Sequence, residues 1–214
     1  KIDFCIPTGN FGNIYAGYVA KRIGTNIDKL IVATNLNDIL HRTITTGRYF
    51  KDKVYKTHSP SMDIQVSSNF ERLLYHIYEK PNIVKKQMEE LKLNGFYQIE
   101  DTSLNKLKED FSSGVATEEE TLSEILNVYK KSNITICPHT AVGTFVSRKF
   151  LNNNKVMITL ATAHPSKFID SVQTALGMTI VQPNEMKELY SKKESVIDAP
   201  NEVNFFKDIL SKES

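Results

Sequence analysis

The fold is decided by the stretch Phe4-Cys5-Ile6-Pro7-Thr8-Gly9-Asn10-Phe11-Gly12-Asn13-Ile14-Tyr15-Ala16-Gly17. A short apolar run, a turn rich in Gly and Asn, and a run with helical spacing predict a strand, a tight loop and a helix. Gly9 and Gly12 let the main chain approach a ligand, and free N–H groups at a helix N-terminus favour phosphate. A bare GxxG is neither a dinucleotide fingerprint nor a P-loop, so a tight turn without a ligand also fits the pattern.

The composition is that of a globular protein with no strong charge bias. The 214 residues are enough for one large domain or a domain with an appendage, and 40% are hydrophobic and 24% charged. The formal net charge is only +2, which gives no reason to expect nucleic acid or a membrane surface as a partner. No bilayer-spanning apolar run or signal peptide is visible, so we expect a reducing, cytoplasmic location.

Neither cysteine has the spacing of a metal site or a redox motif. Cys5 and Cys137 each lie in an apolar run, without a CxxC pattern. We therefore expect buried, reduced thiols, and no metal site.

The order of elements predicts an α/β protein with a parallel sheet and flanking helices. A helix over about residues 13–23 separates the first strand from a second one at 30–34, and 156–160 is the clearest further strand. Parallel pairing follows from a crossover helix between strands. The predicted division is an α/β domain over 1–79 and 132–180, a charged helical insertion over 80–131, and a C-terminal tail with a short helix over 181–214.

Polar side chains follow two of the predicted strands. Asn35, Asn37 and Asp38 follow the second strand, and Thr162 and Lys167 follow the strand at 156–160. The carboxyl ends of parallel strands meet at one edge of the sheet, where ligands bind, so these residues are candidates for the same site. Asn37 or Asp38 could equally cap the next helix, and Thr162 could cap the helix that opens at Pro165.

Two helix starts carry the capping-box pattern, Ser68 with Glu71 and Thr117 with Glu120. The polar stretch 43–65 lacks a regular pattern and predicts an ordered loop over a site or a crossing between domains.

Five blocks of the sequence resemble threonine synthase, in that family's order and with comparable spacing. They are Pro7-Thr8-Gly9-Asn10-Phe11-Gly12-Asn13, Ala33-Thr34-Asn35-Leu36-Asn37-Asp38, Ser67-Ser68-Asn69-Phe70-Glu71-Arg72, Pro138-His139-Thr140-Ala141-Val142-Gly143 and Thr162-Ala163-His164-Pro165-Ser166-Lys167-Phe168. The resemblance covers roughly residues 2–180 and is closest to the longer branch of the family, found in fungi and many bacteria.

The resemblance implies a pyridoxal-phosphate (PLP) enzyme with the tryptophan-synthase β-like fold, fold type II, of which this would be a large-domain portion. Such enzymes serve threonine biosynthesis by converting O-phospho-L-homoserine and water to L-threonine and phosphate. The residues that match the family's cofactor-phosphate loop are Gly9, Asn10, Phe11 and Gly12, with Asn13 adjacent, and Thr162 matches the hydroxyl that faces the pyridine nitrogen. Arg42 and Lys167 are candidates for contacts to the substrate phosphate. His164 is expected to be a structural hydrogen-bonding residue.

The catalytic Schiff-base lysine implied by the resemblance has no match in this chain. In the family it lies upstream of the phosphate loop, in a Phe-Lys-Asp segment after a His-Gly-Pro-Thr-like run. Phe206-Lys207-Asp208 follows the matched region and lacks that run, so we reject it. We expect a C-terminal portion that is inactive alone, exposes apolar surface, and needs the missing N-terminal part of the same protein as its partner.

Three alternatives stay open. The first is another lyase of the same fold, such as a threonine dehydratase or a cysteine synthase, which does not require a γ-phosphate on its substrate. The second is a non-catalytic phosphate-binding remnant. The third is a nucleotide-binding α/β domain, which is weakened because no acidic ribose contact follows the second strand in a recognisable pattern.

Overall fold

The computed structural model describes residues 1–189 and 191–212, and the chain divides into two compact units, 1–180 and 181–214. The strands of the first unit are β1 (Ile2–Pro7), β2 (Ile27–Thr34), β3 (Arg48–Phe50), β4 (Phe96–Gln98), β5 (Phe111–Val115) and β6 (Val156–Thr159). Its helices are α1 (Gly12–Arg22), α2 (Ile39–Thr46), α3 (Phe70–Tyr78), α4 (Pro81–Asn94), α5 (Asp101–Asp110), α6 (Glu118–Ser132), α7 (Pro138–Arg148) and α8 (Ile169–Leu176). Short 3-10 turns occupy Pro60–Met62 and Pro165–Phe168.

The main sheet is parallel, with the strand order β5-β2-β1-β6. β1 is central, because Phe4 lies opposite Leu30 of β2 on one side and opposite Ile158 of β6 on the other. The prediction of an α/β fold with a parallel sheet and flanking helices is therefore confirmed. The loop that follows β1 emerges at the carboxyl edge of the sheet, where ligands bind in open parallel sheets.

Both faces of the sheet are covered at β1 and β2, and this explains why these two strands are apolar on both sides. Cys5 and Ile31 pack against Val146 of α7 on one face. Their neighbours Ile6 and Val32 face the opposite way, into the larger core that includes α1, α2 and α3. Successive side chains of a strand alternate between the two faces, so one short strand can serve both cores.

The outer edge of β6 has no strand beside it among the described residues. Val156 and Ile158 of this strand are 60% and 37% exposed. The unpaired main-chain groups of this edge can pair with another strand, while the two exposed side chains lie on the Phe4 face of the sheet and leave that face of β6 open.

The prediction that 80–131 is a helical insertion is wrong at two places within it. β5 pairs in parallel with β2, and β4 pairs antiparallel with β3, so this segment contributes to both sheets of the first unit. β5 was missed because Ser112, Ser113 and Gly114 have low strand propensity and their local pattern is that of a turn. Gly114 is needed there, since a Cβ on it would lie 2.8 Å from Val146 Cγ1.

One predicted capping box is confirmed and the other is wrong. Thr117 accepts a hydrogen bond from the N–H of Glu120, whose carboxylate accepts from the N–H of Thr117. At the start of α3, Asn69 occupies the cap position and no side chain caps the helix. The side chain of Asn69 is used elsewhere, as described below.

The second unit contains α9 (Asn184–Leu189) and α10 (Val203–Lys212). Lys207 lies in α10, near the edge-to-face contact between the rings of Phe205 and Phe206. Among the described residues of the whole chain, no helix combines the length and the apolar character needed to cross a membrane.

Candidate functional site

The loop between β1 and α1 presents a run of unpaired main-chain donors. The N–H of Thr8 bonds to the carbonyl of Ala33 at 2.8 Å, and so still belongs to the sheet. From Gly9 to Ile14, no main-chain N–H has a hydrogen-bond partner within the described part of the chain. Since α1 begins at Gly12, the positive end of its dipole adds to these donors, and the loop favours an anion.

The carbonyl groups of the same loop are held on the other side by residues 67–69. The carbonyl of Gly9 accepts from Ser67 Oγ at 2.8 Å. The carbonyl of Asn10 accepts twice from Asn69, from Nδ2 at 2.9 Å and from its N–H at 3.1 Å. The loop thus turns its acceptors toward this segment and leaves its donors for the opposite side.

Phe11 fixes the conformation of the loop. Its backbone is left-handed, with φ 65°, a strained conformation for a bulky residue that costs about 1–3 kcal/mol and persists only where packing imposes it. Here its side chain is only 1% exposed. The ring lies 5.2 Å from that of Phe70, nearly perpendicular to it, and 5.7 Å from that of Phe111.

A cavity of about 220 Å³ lies at these donors. It is lined by Pro7, Thr8, Gly9, Asn10, Phe11, Gly12, Asn13 and Ser61. None of these residues is acidic, so no side chain in the cavity neutralises the positive end of the α1 dipole or occupies the main-chain donors. A phosphate monoester therefore fits the chemistry of the cavity.

The far wall of the cavity is the segment 57–63, which a partly buried polar network holds in place. Asp63 Oδ1 accepts from Asn35 Nδ2 at 2.8 Å, from Asn37 Nδ2 at 3.0 Å and from Thr57 Oγ1 at 2.6 Å, and Oδ2 accepts from the N–H of Thr57 at 2.8 Å. Asn35 and Asn37 therefore fix the wall rather than cap α2. Asp38 stands at the cap position of α2 and makes no side-chain cap bond.

His139 anchors the same wall from α7. Its Nε2 accepts from the N–H of Ser61 at 3.2 Å, and its ring centroid is 4.5 Å from that of Phe168. Burial, with a smaller contribution from the ammonium of Lys167, lowers the pKa of His139 to about 4. The ring is therefore neutral, with its proton on Nδ1, an atom that is buried without a partner in the described chain. Sequence reasoning gave His139 no role, although it quoted the block containing it.

Thr162 and Lys167 lie beyond β6, at the carboxyl edge that β6 shares with β1. The N–H of Thr162 donates to Thr140 Oγ1 at 3.3 Å, while its own hydroxyl has no partner within the described chain. The expected cap role falls to His164, whose Nδ1 accepts from the N–H of Ser166 at the turn Pro165–Phe168. Lys167 is exposed and makes no ion pair in the part of the chain that the structure describes.

Arg42 is already engaged by protein groups. Its Nε is 2.7 Å from Asp38 Oδ1, one of its terminal nitrogens donates to Gln65 Oε1 at 3.0 Å, and its guanidinium stacks 3.8 Å from the ring centroid of Phe50. A substrate group could reach this guanidinium only in competition with those contacts. Of the two candidate cations, Lys167 is the one that makes no ion pair within the described residues.

The chain is similar over nearly its whole length to one portion of larger proteins. Residues 140–210 match the family model described as threonine synthase, C-terminal. The threonine synthase of Pseudomonas aeruginosa is 40% identical over 206 residues, which cover 95% of this chain and 44% of that protein.

Two solved structures agree with this match. The PLP-bound threonine synthase from Brucella melitensis shares 42% identity with a TM-score of 0.87, over 100% of this chain and 46% of that one. Threonine synthase from yeast shares 36% identity with a TM-score of 0.86, over 99% of this chain and 47% of that one. The chain thus spans less than half the length of the proteins it matches.

Proposed function

We propose that this chain, which is a C-terminal portion of a threonine synthase, forms the phosphate-binding side of a PLP site that acts on O-phospho-L-homoserine. The observation that carries this proposal is the run of unpaired N–H groups from Gly9 to Ile14 around a cavity without acidic residues. The similar Brucella protein is described as PLP-bound, which supports PLP as the ligand whose phosphate group binds in this cavity. The reaction would convert this substrate and water to L-threonine and phosphate.

The residues of the loop fit a cofactor phosphate. Gly9, Asn10, Phe11, Gly12 and Asn13 would hold it through main-chain N–H groups, without a charged side chain. Bound there, PLP would supply the electron sink that the elimination needs. The protein's part is to fix that group in position.

We infer that the Thr162 hydroxyl contacts the pyridine nitrogen. It is free of other partners, and its main chain is tied to Thr140 at the carboxyl edge next to the loop. A hydroxyl can donate a hydrogen bond to a neutral ring nitrogen, whereas a carboxylate would keep that nitrogen protonated. Thr162 would thus keep the nitrogen unprotonated and help to direct proton removal toward loss of the substrate's γ-phosphate.

Lys167 is the better candidate of the two for the substrate phosphate. Its ammonium is exposed, lies 5.6 Å from the centroid of the Phe168 ring and makes no ion pair within the described residues, whereas the guanidinium of Arg42 is held by Asp38 and Gln65. An unpaired cation is available to a dianionic phosphate at no cost in broken ion pairs.

The remaining part of the parent protein would complete the site. The open edge of β6, with Val156 and Ile158 exposed, can accept a further strand from it. That part would also carry the lysine that holds the cofactor covalently, since no segment of this chain matches it. We therefore expect this chain to be inactive by itself.

The test uses the full-length gene product that contains this chain, loaded with PLP. With O-phospho-L-homoserine, we expect equal amounts of inorganic phosphate and L-threonine. Thr162→Val keeps the size of the side chain and removes the hydroxyl, and should lower kcat by roughly tenfold or more, the worth of one hydrogen bond. Thr174→Val is the matched control, because the Thr174 hydroxyl bonds only within its own helix, to the carbonyl of Asp170.

Other outcomes would identify the alternatives. Turnover of L-threonine or O-acetylserine, with none of O-phospho-L-homoserine, would show another lyase of this fold. A full-length protein that binds PLP with no turnover of any of these would be a non-catalytic remnant. Phosphate release by residues 1–214 alone would contradict the proposed need for the rest of the protein.

A further inference from the structure

We propose that Ser67 and Asn69 are positioning residues that set the affinity of the loop for the cofactor phosphate. The proposal rests on the proposed function, since it deepens the assignment of that cavity. Neither side chain lines the cavity itself. Both act through the carbonyl groups of Gly9 and Asn10.

The covalent geometry of the peptide unit carries the argument. In a trans peptide, the C=O of one residue and the N–H of the next point in opposite directions. When Ser67 holds the carbonyl of Gly9, it also fixes the N–H of Asn10, and when Asn69 holds the carbonyl of Asn10, it fixes the N–H of Phe11. The unpaired N–H donors from Gly9 to Ile14 form what we call the phosphate cradle. The orientation of two of them is therefore fixed by hydrogen bonds made on the opposite side of the loop.

Asn69 stands at a helix cap position, but its side chain does not cap the helix. Asn is among the best residues at the cap of a helix, where its side-chain oxygen accepts from an N–H of the first turn. Asn69 stands at that position of α3, but its backbone (φ −96°, ψ −3°) is helical and no cap bond forms. Its amide and its own N–H both go to the carbonyl of Asn10, 59 residues earlier. The first turn of α3 forgoes a cap, and the loop is held by two bonds from one residue.

A rigid aromatic stack holds this segment in turn. The N–H of Ser67 donates to the hydroxyl of Tyr49 at 2.8 Å. The ring of Tyr49 stacks on Tyr97 at 4.8 Å and on Phe70 at 5.7 Å, and all three rings are at most 2% exposed. Burial raises the pKa of Tyr49 to about 12, so its hydroxyl stays neutral. Tyr97 belongs to β4, and through it the region 80–131 supports the cradle.

The experiment compares PLP with pyridoxal, which lacks the phosphate, as ligands of the full-length protein. The ratio of their two dissociation constants isolates the contribution of the phosphate. We expect Asn69→Leu and Ser67→Ala each to weaken PLP binding by about tenfold, the effect of roughly one net hydrogen bond, and to leave pyridoxal binding unchanged. Thr121→Val is the control, because it removes a buried hydroxyl that bonds within α6, away from the loop.

Each outcome decides between the two proposals. If the wild-type protein binds PLP no better than pyridoxal, the phosphate cradle itself is wrong. If the wild-type protein prefers PLP, and Asn69→Leu keeps that preference unchanged, the cradle stands and the positioning role is refuted. Equal weakening of both ligands, with a lower melting temperature, would also refute the positioning role, because it would show a general structural effect.

Discussion

Replacement of Gly9 by Ala tests whether the wall of the cavity is rigid. An added Cβ would lie 3.0 Å from the carbonyl oxygen of Ser61 and 3.2 Å from Met62 Cα. Both are main-chain atoms, so no side chain can rotate away. The segment that contains them is tied by the hydrogen bonds to Asp63 and by the bond from Ser61 to His139.

The expected loss of stability in Gly9→Ala follows from how closely the added Cβ approaches the wall. Both distances are shorter than ordinary van der Waals contacts, which begin at about 3.4 Å, so the loop and the wall must separate by a few tenths of an ångström. Such overpacking costs about 1–3 kcal/mol, offset by about 0.4–1 kcal/mol because Ala has less conformational freedom than Gly in the unfolded chain. We expect a net loss of roughly 1–2 kcal/mol and a lower melting temperature, with a shift below the 2–4 °C per kcal/mol typical of about 150–250 residues because the full-length protein is larger.

Gly12→Ala provides the matched control within the same loop. A Cβ at Gly12 would meet only Asn69 Nδ2, at an ordinary 3.7 Å, and Ala gains about 0.4–1 kcal/mol because it has less conformational freedom than Gly in the unfolded chain. We expect thermal unfolding of the full-length protein without cofactor, followed by circular dichroism, to give a lower melting temperature for Gly9→Ala and an equal or higher one for Gly12→Ala. Equal melting temperatures for the two variants would refute a rigid wall.

Two further predictions concern the residues that hold that wall. His139 has a pKa lowered to about 4 in the folded protein, below its unfolded value near 6.5, so its neutral form contributes stability above pH 6.5 that is lost as the pH falls toward 4. In urea unfolding, wild type should therefore lose more stability than His139→Gln between pH 7 and pH 4.5, and parallel losses would contradict this. Asp63→Asn removes a carboxylate that accepts four hydrogen bonds and should cost about 2–4 kcal/mol in urea unfolding at pH 7. Asp52→Asn is its control, since that exposed carboxylate accepts only from the N–H of Lys53, and similar costs for the two would count against the network.

The sequence predicted those parts of the site whose conformation depends on residues close together in the chain. The loop from Gly9 to Asn13 was found because glycines, asparagines and a following helix lie within one short stretch. The confirmed capping box at Thr117 is local in the same sense, with both partners three residues apart. These elements have all their determinants within a few residues.

The parts that sequence reasoning missed depend on distant partners. β5 is a strand because β2 lies beside it and α7 lies over Gly114, which no local pattern of Ser and Gly residues reveals. The Ser68 capping box failed because α3 begins one residue later, with Asn69 at the cap position, and the Ser68 hydroxyl donates to Asn10 Oδ1 instead, at 3.4 Å. The network around Asp63 joins residues from two separate segments, and the loop 43–65 gave no periodicity from which to infer it.

The central place of β1 has a consequence for the order in which the protein is made. β1 opens this chain, and the strand beside it, β6, lies near the other end of the first unit. Contacts with such a wide separation in sequence form late, because a long stretch of chain must first close into a loop. A ribosome that has completed the glycine loop has not yet made β6, the strand that pairs with β1 on its other side. The carboxyl edge shared by β1 and β6 can therefore form only after nearly all of this region has been synthesised.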